Sequence, residues 1–416
     1  MADLPQPTHS TMPSEAGMPL LMLTELFLPT KGGTAVSFDD DFRRLGGKEV
    51  HVVTAAVPGS LEFDRTHPNT IHRLGLERVP WLKPESLLMY AKLFLKSVAL
   101  ASRHRFRAIF AARALPEGLV AWAIARLTGT PALIWAHGEE QTTWGRGWKF
   151  KAMCFTLQRA DVVLSNSDFT RDTLVELLGV DPDRISVVYP TVDEERFRPE
   201  LPADDLRSSL GVGPTQRLIL SVGRLVRRKG FDNVIRALPQ LSEQGIDVHY
   251  AVIGIGDDHE YLLGLACELG VANRVHMLGH VSYEDLPRWY CASDLFAMPN
   301  RDIGGDTEGF GLVFLEAAAA GRPVLAGTAG GTGSAVEEGA TGLRVDGEQV
   351  DDVASGLQEL LSDREKAKQM GCNGRERVLN NFTHLRRVEQ LREAALRPPG
   401  RRPAVPAPPL PKVLDH

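Results

Sequence analysis

Two acidic residues in a glycine-rich stretch and two basic residues after an apolar strand are the groups in this chain best suited to chemistry. Residues 304–331 read GGDTEGFGLVFLEAAAAGRPVLAGTAGG. Glu308 stands in the glycine-rich loop, Gly309 and Gly311 flank Phe310, and a helix expected to begin near Leu312 carries Glu316. With one carboxylate on the loop and the other about one turn into the helix, the pair can address different parts of one ligand. A carboxylate accepts two hydroxyl hydrogen bonds readily, which suits a sugar or a ribose. Exposed glycine amides at a helix start suit a phosphate or a sugar oxygen. The competing reading makes Glu308 a capping acid and Glu316 a surface residue; the small residues 317–321, which demand tight packing, weigh against it.

Upstream, the apolar run 218–222 ends in Gly223-Arg224 and continues LVRRKGFDNVIRAL. Arg224 and Lys229 can both project toward an anion, assisted by the N-terminus of the following helix. A diphosphate is multiply negative and needs such cations to leave; the alternative is a solvated basic loop that includes Arg227 and Arg228. A third glycine cluster, Gly254-Ile255-Gly256, follows the apolar run 249–253. His259 occupies the place of the third glycine of a dinucleotide fingerprint, so a tight turn is the better account.

These groups need elements to hold them. Residues 20–27, 50–55, 108–111, 132–136, 162–165 and 185–189 read as strands, with helices over 38–45, 85–102, 115–127 and 168–178. A second series of strands runs over 218–222, 249–253, 275–278, 295–298 and 324–327, with helices through residue 241 and around 260–269. Near-continuous apolar strands separated by helices imply parallel sheets covered on both faces. The expected architecture is α/β: two Rossmann-like domains over 18–195 and 214–382, joined by the Pro- and Gly-bearing linker 193–213. Ligands of such sheets bind beyond the carboxyl ends of the strands, and the cleft between the domains is the expected place of reaction. Residues 1–17 and the Pro-rich 397–416 read as loose tails.

The bulk numbers agree with a cytoplasmic globular protein. Of 416 residues, 43% are hydrophobic and 24% charged, which excludes a disordered or fibrous chain, and a net charge of -6 argues against a nucleic-acid binder. Cys154, Cys267, Cys291 and Cys372 form no metal spacing and no CxxC pair, as expected of reduced thiols. No run is long enough to span a membrane, and no secretory leader is read. Residues 81–107, however, set Lys83, Lys92, Lys96, Arg103, Arg105 and Arg107 against Glu85 alone, among leucines and aromatics. Such a basic amphipathic stretch can lie on an anionic membrane, and residues 144–151 (WGRGWKFK) add a second patch. The alternative is a helix packed on its sheet with a solvated basic face.

Taken in order, Gly223-Arg224-x4-Lys229-Gly230, Glu308-x7-Glu316 and EGFGLVFLEAAAAGRPVLAG resemble glycosyltransferase family four, retaining enzymes of the GT-B fold. The resemblance is dense over 218–343 and looser from residue 20 onward. It implies two domains facing across a deep cleft, a C-terminal helix over 383–396 crossing back to the first, and a nucleotide-sugar donor held mostly by the second. It implies that Arg224 and Lys229 hold the diphosphate, Glu316 the ribose, and Glu308 the donor sugar with the amides of Phe310 and Gly311. In the first domain it implies that Gly32 and Gly33 approach the donor phosphate, that His137 contacts the sugar, and that Ser167 and Arg171 lie in the segment facing the cleft. Two departures stand out: Ser334 replaces a common Glu after Gly330-Gly331, and Pro190-Thr191-Val192-Asp193 replaces a common Asn-Gly-Val-Asp.

The activity so implied is hexosyl transfer to a hydroxyl acceptor, with retention and without a metal or other cofactor. The product would be a glycolipid, a lipopolysaccharide or an exopolysaccharide, made by a cytoplasmic enzyme peripheral on the inner membrane face. Alternatives are a nucleotide-sugar epimerase of similar fold and an inactive nucleotide-sugar binder. The donor base, the sugar and the oligomeric state stay open at this level.

Overall fold

The computed structural model describes residues 18–30, 33–76, 81, 85–138 and 147–397. Most of both tails, Gly32, Lys83 and residues 144–146 of the aromatic-basic patch lie outside the described residues.

The apolar runs form two sets of strands. The first comprises β1 (Leu20–Leu23), β2 (Val50–Ala55), β3 (Thr70–Leu74), β4 (Ala108–Ala111), β5 (Ala132–Ala136), β6 (Val162–Ser165) and β7 (Ile185–Val187), in the order β3-β2-β1-β4-β5-β6-β7. The second comprises β8 (Arg217–Val222), β9 (Val248–Ile253), β10 (Val275–Gly279), β11 (Leu295–Met298), β12 (Val324–Gly327) and β13 (Gly342–Val345), in the order β10-β9-β8-β11-β12-β13. Parallel pairing links β8 to β9 and β11, and β11 to β12, so the second sheet repeats the Rossmann order of the first. Its strand order reverses between β8 and β11, which leaves a crevice beyond their carboxyl ends.

Two strands are not legible as apolar runs. β3 reads TIHRL and is half-buried throughout, and β13 reads GLRV with two buried positions; each closes the edge of its sheet, where one flank faces no further strand. By contrast, β1, β4, β5, β6 and β11 are buried at every position. Helices seal the faces: Phe231–Glu243 buries Val234, Ile235, Leu238 and Leu241, a stripe of helical period. Each such side chain contributes roughly 1.5–3 kcal/mol on leaving water.

The described residues fall into two compact units, each described by itself. One holds β1 to β4; the other takes in Arg113–Leu115 and everything described from Ile134 onward. Compactness thus divides the chain earlier than the linker 193–213, because residues 134–196 are tied to the second series of elements. The Val192 amide donates to the Phe382 carbonyl at 3.1 Å, and the Asp168 amide donates to Ser334 Oγ at 3.0 Å. The C-terminal helix His384–Leu396, capped by Thr383, sends Arg387 to the carbonyls of Val188 and Tyr189 and sets its guanidinium over the Trp135 ring. No helix among the described residues is long and apolar enough to cross a membrane.

Candidate functional site

The loops leaving β8 and β11 are drawn together by backbone contact, and their side chains converge with them. Gly230, at φ +73°, starts the helix Phe231–Glu243; a Cβ there would stand 2.0 Å from the Pro299 carbonyl oxygen, so only glycine permits the approach. The Arg301 amide donates to the Arg228 carbonyl at 2.8 Å, pinning the two loops. Gly254 and Gly256 serve the same closeness. Cβ atoms on them would lie 1.8 Å from the Gly223 oxygen and 2.4 Å from the Leu225 oxygen, so this pair packs the loop after β9 under the loop after β8.

On that frame, Lys229 Nζ and an Arg228 guanidinium nitrogen each stand 2.9 Å from the same oxygen, Oε2 of Glu308. All three side chains are largely covered, at 12%, 15% and 14% exposure for Lys229, Arg228 and Glu308. Burial pushes the Glu308 carboxyl up, but Lys229 and then Arg228 outweigh it, and the group titrates below the ordinary carboxylate value. Arg228 Nε also faces Asp306 at 3.2 Å. Arg224 is exposed and makes no ion pair among the described residues.

Gly311, at φ +89°, precedes the helix Leu312–Ala319, and a Cβ on it would meet the Phe314 ring at 2.4 Å. The helix delivers Glu316 to a different environment. Tyr290, fully buried, donates its hydroxyl to Glu316 Oε2 at 2.6 Å. Glu316 lies deep among protein atoms yet keeps part of its surface open. Burial lifts its carboxyl to about 7, against the opposing pull of the Tyr290 hydrogen bond and the Lys229 charge.

A pocket of about 340 Å³ is lined by Lys229, Glu308, Gly309, Phe310, Gly311, Leu312 and Val313, and on another side by Asn166 and Pro190. The Phe310 side chain is itself buried against Tyr189 and Phe382, leaving its backbone to the loop. Gly309 lies in ordinary contact with the segment after β5, a Cβ on it standing 3.6 Å from the His137 carbonyl oxygen. Asn166 Nδ2 donates to that carbonyl at 3.1 Å, and the His137 ring stacks along Trp135. His137 therefore adjoins the Glu308 loop through its backbone.

Ser167 and Arg171 stand differently. Ser167 is buried and caps the helix Asp168–Glu176, accepting from the Thr170 amide at 3.1 Å. Arg171 is paired with Asp168 and Asp172. Neither lines the pocket. Gly33 opens the helix Gly33–Gly46 in the other unit, and its neighbour Gly32 is outside the described residues.

The departure at Ser334 acquires a structural account. Gly330 and Gly331 fold against the Glu308 loop, the Gly331 amide donating to the Glu308 carbonyl at 2.7 Å. This delivers Ser334 to Asp168, whose carboxylate accepts from Ser334 Oγ at 3.0 Å, from Tyr189 at 2.7 Å and from Arg171 at 2.7 Å. A serine suffices because it both donates to that carboxylate and accepts from the Asp168 amide.

Arg228, Tyr290 and Asn166 were not singled out from the sequence. Arg228 hid in a basic run that also suits a solvated loop; Tyr290 lies in LPRWYCA, which carries only a packing signal. Among the described residues no three His, Cys, Asp or Glu side chains converge as metal ligands.

Two consecutive sheets of Rossmann order, with cations, glycine amides and carboxylates gathered at the switch point of the second, place the molecule in the GT-B class. Solved structures show the same fold. HepE of Anabaena in complex with UDP superposes with a TM-score of 0.73 at 22% identity, over 90% of this chain and 99% of that one. The sucrose-phosphate synthase of Thermosynechococcus elongatus gives 0.70 at 22%, over 90% and 98%. Residues 32–196 match the model of Glycosyltransferase Family 4, and residues 203–377 that of Glycosyl transferases group 1. The chain is 33% identical, over 86% of its length and 93% of the relative, to the GDP-mannose-dependent alpha-(1-6)-phosphatidylinositol monomannoside mannosyltransferase of Mycobacterium tuberculosis. It is 32% identical, over 86% and 92%, to the corresponding monoacylated-substrate mannosyltransferase of Corynebacterium glutamicum. The chain belongs to this family of glycosyltransferases.

Proposed function

We propose that this chain is a retaining, metal-independent hexosyltransferase that takes its sugar from a nucleoside-diphosphate donor and passes it to a hydroxyl of a lipid-linked acceptor. GDP-mannose is the donor of first choice, because the mycobacterial and corynebacterial relatives are named for it. The observation that carries the reading is the convergence of Arg228, Lys229 and Glu308 beside Glu316 at the carboxyl ends of β8 and β11.

In this mechanism Lys229 and the uncommitted Arg224 take the diphosphate, and their charge counts most as the leaving group gains negative charge. Glu308 accepts hydroxyl hydrogen bonds from the hexose, with the amides of Phe310 and Gly311 alongside. Glu316 accepts those of the ribose, with Tyr290 fixing its orientation. His137 contacts the hexose and the amide of Gly33 approaches the phosphate, as the family resemblance implies. The acceptor hydroxyl attacks on the face from which the diphosphate departs, and a phosphate oxygen takes its proton, which preserves the anomeric configuration.

A lipid-linked acceptor is supported by the helix Leu87–Ala101. It buries Met89, Leu93, Ser97 and Leu100. Leu87, Leu88, Leu95 and Val98 stay exposed, Leu95 at 68%, with Lys92 and Lys96 beside this face. An apolar stripe flanked by lysines suits the surface of an anionic bilayer.

The test is transfer from GDP-mannose and UDP-glucose to phosphatidylinositol mannoside, with the product's anomeric configuration read by NMR. Retained hexosyl transfer supports the reading. Conversion of a donor to its epimer without acceptor, or no transfer from either donor, overturns it.

A further inference from the structure

Glu308 Oε2 is shared by two cations that differ in what else they can reach. Lys229 lines the pocket, and its other side-chain acceptor among the described residues is the Met298 sulfur at 3.5 Å, a weak one. Arg228 does not line the pocket. Its carbonyl is pinned by the Arg301 amide and its Nε faces Asp306, so contacts away from the pocket lining hold it beside Glu308. An anion entering the pocket therefore competes with Glu308 for Lys229 and leaves Arg228 in place.

We propose that Arg228 is a positioning residue for sugar recognition: it stays on Glu308 when Lys229 turns to the anionic part of a ligand, and so keeps that carboxylate an acceptor for hydroxyl groups. The proposal rests on the reading of the pocket as a nucleotide-sugar site. A carboxylate this covered, deprived of both cations, takes up a proton and loses acceptor capacity. The charged groups facing Glu308 are Lys229 and Arg228, with Asp306 acting through Arg228. The Gly330-Gly331 loop brings only backbone, and the Lys229 charge also acts on Glu316. In the free protein the two cations together hold the Glu308 carboxyl low.

The experiment compares Arg228→Gln and Arg228→Lys with the wild type in three measurements: affinity for GDP, affinity for GDP-mannose, and the pH profile of transfer. GDP engages Lys229 without a sugar, so its affinity is expected to hold in all three proteins. In Arg228→Gln the acid limb of the profile is expected to move up by about one pH unit, and the affinity for GDP-mannose to fall about tenfold on that limb, below the wild-type midpoint. Arg228→Lys restores most of both. Equal losses for GDP and GDP-mannose, or an unmoved acid limb, overturn the proposal. A separate readout is the ¹³C carboxyl titration of Glu308 in the free protein, assigned with Glu308→Gln. An unmoved midpoint in Arg228→Gln overturns the role of Arg228 whether or not GDP-mannose proves to be a donor, whereas a wild type indifferent to both nucleotides overturns the function.

Discussion

Glu308 and Glu316 stand eight residues apart in opposite electrostatic settings, one held ionised by two cations and the other pushed toward neutrality by burial. The second setting has a stability consequence. Glu316 titrates near 7 in the folded protein and in the ordinary carboxylate range when unfolded, so the unfolded state alone ionises as pH rises between those values. Stability therefore falls from about pH 4.5 to 7 by on the order of 3 kcal/mol on account of this group. Glu316→Gln is expected to match the wild type in denaturant unfolding at pH 4 and to exceed it at pH 8; equal curves at both would remove the account. Lys229→Ala is expected to lower turnover about 10²–10³-fold, as loss of a cation on a leaving group does, measured as the initial rate of transfer. These residues were legible because their types and spacing state a chemistry. Arg228 was not, since a basic doublet in a loop looks the same whether it faces solvent or a buried carboxylate.

At the scale of elements, glycines do the positioning. Gly230 and Gly311 each combine a left-handed backbone with a space that a Cβ would fill, and each precedes a helix bearing on the pocket. Gly311→Ala is expected to cost about 1–3 kcal/mol and to weaken nucleotide binding as the Glu308 loop shifts, which calorimetry would register together with a lowered Tm. Ser334 joins the helix Thr332–Ala335 to the helix Asp168–Glu176. Reinstating the common residue by Ser334→Glu puts a second carboxylate at the buried Ser334 position, against the partly exposed Asp168. A loss of about 1–3 kcal/mol is expected from crowding and like charge; a variant as stable as wild type would show that the helix pair relaxes freely. The strands over 50–55, 108–111, 132–136 and 162–165 could be read with their bounds, because a strand buried on both faces writes a continuous apolar run. β3 and β13 could not, because an edge strand carries His72, Arg73 or Arg344 without penalty.

At the scale of the molecule, both sheets follow one strand order, and in the second the loops after β8 and β11 bring Arg228, Lys229 and Glu308 together. The repeated α/β rhythm was legible. That residues 134–196 pack with the second series was not, since Asp168–Ser334 and Val192–Phe382 are contacts between distant positions with no local signature. The apolar stripe of Leu87–Ala101 predicts co-sedimentation with vesicles of phosphatidylinositol at low salt, weakened by Leu95→Asp and by added salt; binding indifferent to both would deny the stripe its role. The central claim, that the Lys229–Glu308 pocket receives a nucleotide sugar, is tested most directly by calorimetric titration of GDP-mannose into the wild type, Lys229→Ala and Glu308→Gln. Saturable binding by the wild type and at least about tenfold weaker binding by each variant are expected. Equal affinity in all three proteins would contradict it.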